Sequence, residues 1–152
     1  MLTKVTGVPE ERYARRRLFA PLGITVKDFW PKDEHGITFG GNGLTLLATD
    51  AAKLGQLYLQ HGRWHGRQIV PRRWVEESTK QQVALRRGSG YGYGWWTQKR
   101  TGGRAYLALG YGGQVVAVVP RLRLVVAVFS DPAWPPVPVH ELLGRIEATV
   151  AR

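Results

Sequence analysis

The stretch from Tyr91 to Val119 constrains the fold of this chain more than any other part of its 152 residues. It begins with aromatic residues that alternate with Gly92 and Gly94, which is the period of a β-strand with one face stripped of side chains. Two strand-like runs follow, at residues 105–109 and 115–119, with a glycine-rich turn between them. A strand face is usually stripped where another backbone or a ligand comes close, so we expect tight surroundings here.

The turn at residues 109–114 is the first candidate site. Its glycines leave backbone N–H groups uncovered, and Tyr111 is its only large side chain between the two strand-like runs. An uncovered backbone donor beside one aromatic side chain is how acyl-transfer enzymes hold an oxyanion. Most glycine-rich turns between apolar strands serve only as turns, so the pattern alone favours that plainer interpretation.

The first third of the chain predicts helix and loop. Pro9 and the acidic residues after it are typical of a helix start, whereas residues 24–47 hold many glycines and little periodicity. From this change of pattern we divide the chain into two regions. Residues 1–47 are taken as the remnant of a helical and loop region, and residues 48–152 as the α+β part of a single incomplete domain.

The rest of the chain predicts helices and an antiparallel sheet. Thr49 and Pro71 each precede apolar residues at helical spacing, and residues 139–150 form an amphipathic helical pattern. A third strand is predicted at 122–129, and because it is apolar on both faces we expect it to be central and covered. The predicted fold is α+β: about three antiparallel strands packed with a C-terminal helix, preceded by helices and a long loop.

Composition argues against several classes of function. The chain has no cysteine, and its four histidines do not stand at metal-ligand spacing, so neither a metal nor a cofactor is expected. No apolar run is long enough to span a membrane, and the first residues lack the apolar core of a signal peptide, which predicts a cytoplasmic chain as given. The net charge of +11 suggests nucleic acid as a partner, but the basic residues are spread and accompany no recognition module. No specific nucleic acid is therefore expected.

Four segments in one order resemble a known family. They are residues 40–79, YGYGWW at 91–96, GYGGQVVAVVP at 110–120 and LRLVVAVFS at 122–130. Together they are similar to the C-terminal half of the serine beta-lactamase-like hydrolases, which include class C beta-lactamases, DD-peptidases, esterases and aminohexanoate-oligomer hydrolases. The resemblance implies a partial beta-lactamase-like fold and hydrolysis of an ester or amide through an acyl-serine.

The resemblance also implies roles for individual residues. Tyr111, Gly112 and Gly113 stand where the family has its Lys-Thr-Gly motif or a variant of it, so the backbone N–H of Gln114 would be one of two oxyanion donors. Tyr111 would be a catalytic residue together with Gln114. The substrate pocket would be lined by Tyr111, Gly112, Gly113 and Trp95. Tyr111 has no positive charge, which favours a small uncharged ester or amide over a carboxylate-bearing beta-lactam.

The two other motifs of that family are missing from the sequence. None of the three serines (Ser78, Ser89 and Ser130) has a lysine three residues later, so there is no Ser-x-x-Lys. The family's Tyr-x-Asn or Ser-x-Asn motif is also absent, because the residue two positions before the one asparagine, Asn42, is Gly40. We therefore expect this chain to be inactive alone and to bind its ester or amide substrate only when an N-terminal half completes it. Without the strands of that half, we also expect the sheet to have an open edge.

Other interpretations remain open at this stage. A non-catalytic binding domain would use an aromatic platform for a glycan or peptide, made of Tyr91, Tyr93, Trp95, Trp96 and Tyr111. Adjacent residues on a strand point to opposite faces, so at most one of the two tryptophans can face such a site. A nonspecific polyanion binder is the third candidate, because the chain is strongly basic.

Overall fold

The computed structural model describes residues 2–25, 30–85, 88–101, 103–130 and 138–151. The chain divides into two compact units, Met1–Asp50 and Ala51–Arg152. The division of the chain between residues 47 and 48 stays a prediction. The assignment of residues 48–152 to a single incomplete domain also stays a prediction.

The first unit is helical at its start and irregular afterwards. Its helices are α1, Leu2–Thr6, and α2, Glu10–Ala14, and α2 continues through a wider turn at Arg15–Phe19 and a tighter one at Ala20–Leu22. The helix α2 begins after Pro9, as predicted, because proline suits the first turn of a helix. From residue 30 to 47 the described backbone forms one isolated bridge, Lys32 to Thr38, and no other strand or helix.

The second unit contains the sheet and the remaining helices. Helix α3, Ala48–Leu59, leads into it, and the short hairpin of β1, Arg63–Trp64, and β2, Arg67–Gln68, precedes helix α4, Arg72–Thr79. The strands of the main sheet are β3 Val83–Ala84, β4 Ser89–Tyr91, β5 Trp96–Arg100, β6 Gly103–Leu109, β7 Val115–Val119 and β8 Leu124–Val128. They pair antiparallel in the order β3-β4-β5-β6-β7-β8. Helix α5, Val139–Val150, follows the sheet in the chain.

The α+β class and the antiparallel sheet are confirmed, and within the described ranges the sheet has six strands where about three were expected. The extra strands are β4 and β5, which end and begin in the aromatic stretch at Tyr91 and Trp96, and the short β3. Residues 92–95, where the alternation predicted a strand, form the connection between β4 and β5. The predicted central position of the third apolar strand is wrong. Within the described residues β8 is the edge of the sheet, and all five of its residues are only partly buried. Its apolar residues reflect packing on both faces, which a strand at an edge can also have.

A hydrophobic core packs against each face of the sheet, because successive side chains of a strand point to opposite faces. On one face Leu107, Ala117 and Val119 pack with Val139 and Leu143 of α5. On the other face Trp95, Tyr106 and Val118 pack with Tyr58 and Leu59 of α3. The strand β7 is fully buried on both faces, so it forms the centre of this unit.

Gly92, the residue after β4, accommodates another part of the backbone. A Cβ atom placed on Gly92 would lie 2.2 Å from the carbonyl oxygen of Ser78 and 2.7 Å from that of Lys80. The neighbouring N–H of Tyr93 donates to the same Ser78 carbonyl at 2.9 Å. Glycine is therefore required where the end of α4 approaches the connection between β4 and β5. The sequence pattern indicated a close approach here, but it placed Gly92 within a strand, and that placement is wrong.

A buried ion pair joins the sheet to α5. The Arg100 guanidinium, on β5, donates to the Glu147 carboxylate, with side chains 10% and 1% exposed. Arg100 also donates to the His140 carbonyl at 3.2 Å, so one side chain holds both ends of the helix. The second oxygen of Glu147 has no hydrogen-bond partner among the described residues.

Candidate functional site

The glycine turn between β6 and β7 is held by two hydrogen bonds. Leu109 and Val115 form the last pair of the two strands, and the Gly110 N–H donates to the Gln114 carbonyl at 2.9 Å. The Ser130 hydroxyl, beyond the end of β8, donates to the Gly112 carbonyl. Gly112 itself lies in the left-handed region with a φ of 77°, which a residue with a side chain rarely adopts. The turn is thus a fixed backbone feature.

Gln114 leaves the turn in an extended conformation, with φ −71° and ψ 137°. The bond from Gly110 uses the carbonyl of Gln114 and not its N–H, which is the group that the sequence analysis singled out. A groove of about 500 Å³ lies beside this residue. Its walls are the turn residues Leu109, Gly110, Gly113 and Gln114 on one side and the start of α5, residues 138–141, on the other.

The comparisons with known proteins can be set against this geometry. The family model for beta-lactamase matches residues 1–149. The chain belongs to the beta-lactamase family. No curated protein sequence matches it. The confirmed resemblance covers nearly the whole chain, including the glycine turn.

Several solved structures align with nearly the whole chain. A protein assigned as a 6-aminohexanoate-dimer hydrolase from Bacillus anthracis is 25% identical with a TM-score of 0.80, covering 99% of this chain and 40% of that one. The octameric penicillin-binding protein homologue from Pyrococcus abyssi is 20% identical, with a TM-score of 0.73 and coverages of 99% and 39%. A penicillin-binding protein from Bacillus halodurans is 18% identical, with a TM-score of 0.67 and coverages of 97% and 51%. The last two likenesses show the fold alone, and this chain spans about half or less of each protein's length.

The remaining predicted site residues of this beta-lactamase-family chain do not all meet at the groove. Tyr111 is 87% exposed, and neither it nor Gly112 lines the groove. Trp95 is 8% exposed and its ring lies 5.2 Å from that of Tyr106, in the core on the α3 face. The structure therefore places Trp95 in the core and away from the turn, because the alternation of β5 directs its neighbour Trp96 to the α5 face.

The five aromatic residues considered as a platform lie in separate places. Tyr91 and Trp96 form an edge-to-face pair at 5.1 Å, whereas Tyr93 stacks on Trp74 of α4 at 5.7 Å. Trp95 is in the core. Tyr111 is exposed on the glycine turn. The set is thus divided among four environments and does not make one flat binding surface.

The three serines are structural in the described chain. Ser78 is fully buried and donates to the Val75 carbonyl at 3.3 Å, and Ser130 holds the turn. Ser89 lies within β4 and is partly buried. In the ranges that the structure describes, no three His, Asp or Glu side chains gather as metal ligands would. Among those same residues no helix has the length and apolar character needed to cross a membrane.

The start of α5 is the part of the groove that sequence reasoning missed. His140, the second residue of α5, lines the groove together with Gln114. No local signal could have found this pairing, because it depends on α5 packing against β6 and β7.

Proposed function

We propose that this chain is the C-terminal portion of a serine hydrolase that cleaves an ester or amide through an acyl-serine. The observation that carries the proposal is the fixed glycine turn of a beta-lactamase-family chain, with Gln114 lining a groove of about 500 Å³. The neighbour from Bacillus anthracis is named for hydrolysis of a 6-aminohexanoate dimer, which supports the same reaction class.

In this proposal Gln114 stabilises the oxyanion of the tetrahedral intermediate. A backbone donor is effective when it is already aimed before the reaction, because no reorganisation is then needed as charge develops. The hydrogen bonds from Gly110 to Gln114 and from Ser130 to Gly112 supply that rigidity. A second donor would come from the nucleophile's own backbone, as in the family mechanism.

The wall of the groove favours a substrate without a negative group at this position. Most of its surface is apolar, with Leu109 and Val139 on opposite sides. Tyr111, Gly112 and Gly113 replace the family's cationic Lys-Thr-Gly motif, so the turn offers no ammonium group to a carboxylate. We assign the substrate-binding role to the turn residues that line the groove and to the start of α5. Tyr111 lies exposed outside this lining, and Trp95 lies in the core.

The nucleophile and its base are proposed to come from outside this sequence. It contains no Ser-x-x-Lys and no Tyr-x-Asn, and its serines serve the turn and the core. Residues 48–152 would then contribute one wall and one oxyanion donor, and residues 1–47 the helical and loop region ahead of them. The chain alone is expected to have no serine-dependent activity.

The first test measures the chain alone. The purified 152-residue chain is incubated with p-nitrophenyl acetate and, separately, with a fluorophosphonate probe followed by mass spectrometry. We expect no turnover above buffer and no labelled serine. Labelling of any of the three serines together with ester turnover would overturn the assignment of the nucleophile to another segment.

The second test addresses the oxyanion donor in the active hydrolase that contains this chain. Gln114→Pro removes the N–H, and the φ of −71° at this position already suits proline. Gln114→Ala is the matched control, because it removes the side chain and keeps the donor. We expect kcat to fall by about 10² to 10³ for proline, with little change for alanine. Equal activity of the two variants would exclude Gln114 as the donor.

A further inference from the structure

A second cavity, of about 510 Å³, lies at the opposite end of β6 from the glycine turn. It opens on the face of the sheet that carries α3, whereas the groove at the turn borders α5. About six residues of extended strand separate Arg104 at this cavity from Gly110 at the turn, which is roughly 20 Å. The cavity is therefore separate from the proposed reaction site.

One wall of this cavity is aromatic and apolar. Tyr58 and Tyr106 lie with their rings 6.4 Å apart, and Val75 and Leu59 continue the surface. Tyr106 is 7% exposed, and burial followed by the nearby Tyr58 raises the pKa of its phenol well above the usual value of 10. The hydroxyl therefore remains a protonated donor at physiological pH. Such a wall fits a flat apolar body.

The other wall is cationic. Arg104, Arg121 and Lys80 line it, and none of the three makes an ion pair with a described residue. Glu76 is the carboxylate among the described lining residues, and it is already bound by Arg72 at 2.7 Å. Among the described lining residues, the cavity thus presents three cationic side chains that form no ion pair and one carboxylate that is already paired.

The register of the sheet gathers positive charge at this end. Lys99 lies directly opposite Arg104 on the neighbouring strand, and like charges placed so are destabilising. Arg121 lines the same cavity as Arg104, and its Cδ lies 3.4 Å from where a Cβ of Gly103 would be. An oxyanion bound between the two guanidinium groups would relieve this repulsion.

We propose that this cavity binds a small molecule with a flat apolar body and one oxyanion group, a carboxylate or a phosphate. Arg104 and Arg121 pair with the oxyanion, for which the planar guanidinium fork is suited. Tyr58 and Tyr106 pack against the apolar body, and the Tyr106 hydroxyl is a further donor. This ligand is distinct from the substrate of the turn, and its binding does not require the missing nucleophile.

Binding can be measured with naphthalene-2-carboxylate and 2-naphthyl phosphate as probes, and with neutral 2-naphthamide as control. Isothermal calorimetry gives the stoichiometry, and tryptophan emission gives a local signal because the Trp95 ring lies 4.7 Å from that of Tyr58. We expect saturable one-to-one binding of at least one anion, with the amide about tenfold weaker or more. Amide binding as tight as that of both anions would overturn the proposal, as would no saturable binding of either anion.

Charge-removing variants locate the site. Arg104→Gln and Arg121→Gln should each weaken binding of the anionic probe about tenfold. Arg145→Gln, on the exposed surface of α5, removes the same charge elsewhere and should leave binding unchanged. Far-UV circular dichroism checks that each variant is folded, and if one is not, the other decides. Equal loss in the control, or no loss in a folded cavity variant, would refute the assignment.

Discussion

Arg100→Met is the substitution whose effect the structure defines most sharply. It removes the guanidinium from the pair with Glu147 and keeps a side chain of similar length. The Glu147 side chain is 1% exposed, so its carboxylate would lose its charged partner without gaining water. Leaving a buried charge uncompensated costs about 3–5 kcal/mol. The lost hydrogen bond from Arg100 to the His140 carbonyl also loosens the start of α5, which lines the groove.

The second unit offers a matched control for this change. Arg72 and Glu76 form an ion pair with the same atoms at 2.7 Å, but their side chains are 67% and 55% exposed. An exposed pair contributes only about 0–1 kcal/mol because water screens it. Arg72→Met should therefore leave the free energy of unfolding within about 1 kcal/mol of the parent chain.

The assay is urea denaturation followed by far-UV circular dichroism, with the free energy of unfolding taken by linear extrapolation. The double variant Arg100→Met, Glu147→Leu should recover most of the loss, since it replaces the buried pair with apolar groups of similar volume. The reasoning would be refuted if Arg100→Met cost no more than Arg72→Met. It would also be refuted if the double variant were as unstable as the single one.

Two further predictions concern single positions. Gly92→Ala should lower the free energy of unfolding by about 1–3 kcal/mol, because its Cβ would meet the Ser78 carbonyl oxygen at 2.2 Å. Gly144→Ala should raise the free energy of unfolding by about 0.5–1 kcal/mol, because Gly144 lies within α5 and its Cβ would meet no neighbouring atom. Equal effects of these two alanines in the same urea assay would contradict the close approach. A hydrogen bond from Lys32 holds the pKa of Glu11 below its usual value of 4.5. Glu11 therefore stabilises the folded state at a pH above 4.5, and this stabilisation is lost as the pH falls through the lowered pKa. Glu11→Gln should be less stable than the parent chain at pH 7 and equally stable at low pH, and a difference that persists at pH 2 would count against the ion pair.

Local periodicity was sufficient for the elements around the site. The pattern at 139–150 predicted α5 with its observed bounds, and the runs at 105–109 and 115–119 predicted the paired ends of β6 and β7. The glycines at 110–113 predicted the turn between them. These features depend on residues close together in the sequence, where side-chain spacing and backbone preference act directly.

The tertiary structure decided which residues meet. Trp95 and Trp96 are adjacent and chemically identical, yet the register of β5 buries the first on the α3 face and leaves the second partly exposed on the α5 face. The apolar pattern of β8 does not reveal that it lies at the sheet edge, because strand order is a property of the whole sheet.

The sequence by itself determined the family, the glycine turn and the lack of a Ser-x-x-Lys, since each is written in neighbouring residues. The groove of Gln114 and His140, the buried pair of Arg100 and Glu147, and the cavity at Arg104 all join residues that are distant in sequence. Those pairings form only when the strands pair in their observed order and α3 and α5 pack on opposite faces of the sheet. Burial and electrostatic interactions depend on which residues are close in space and not on which are close in sequence.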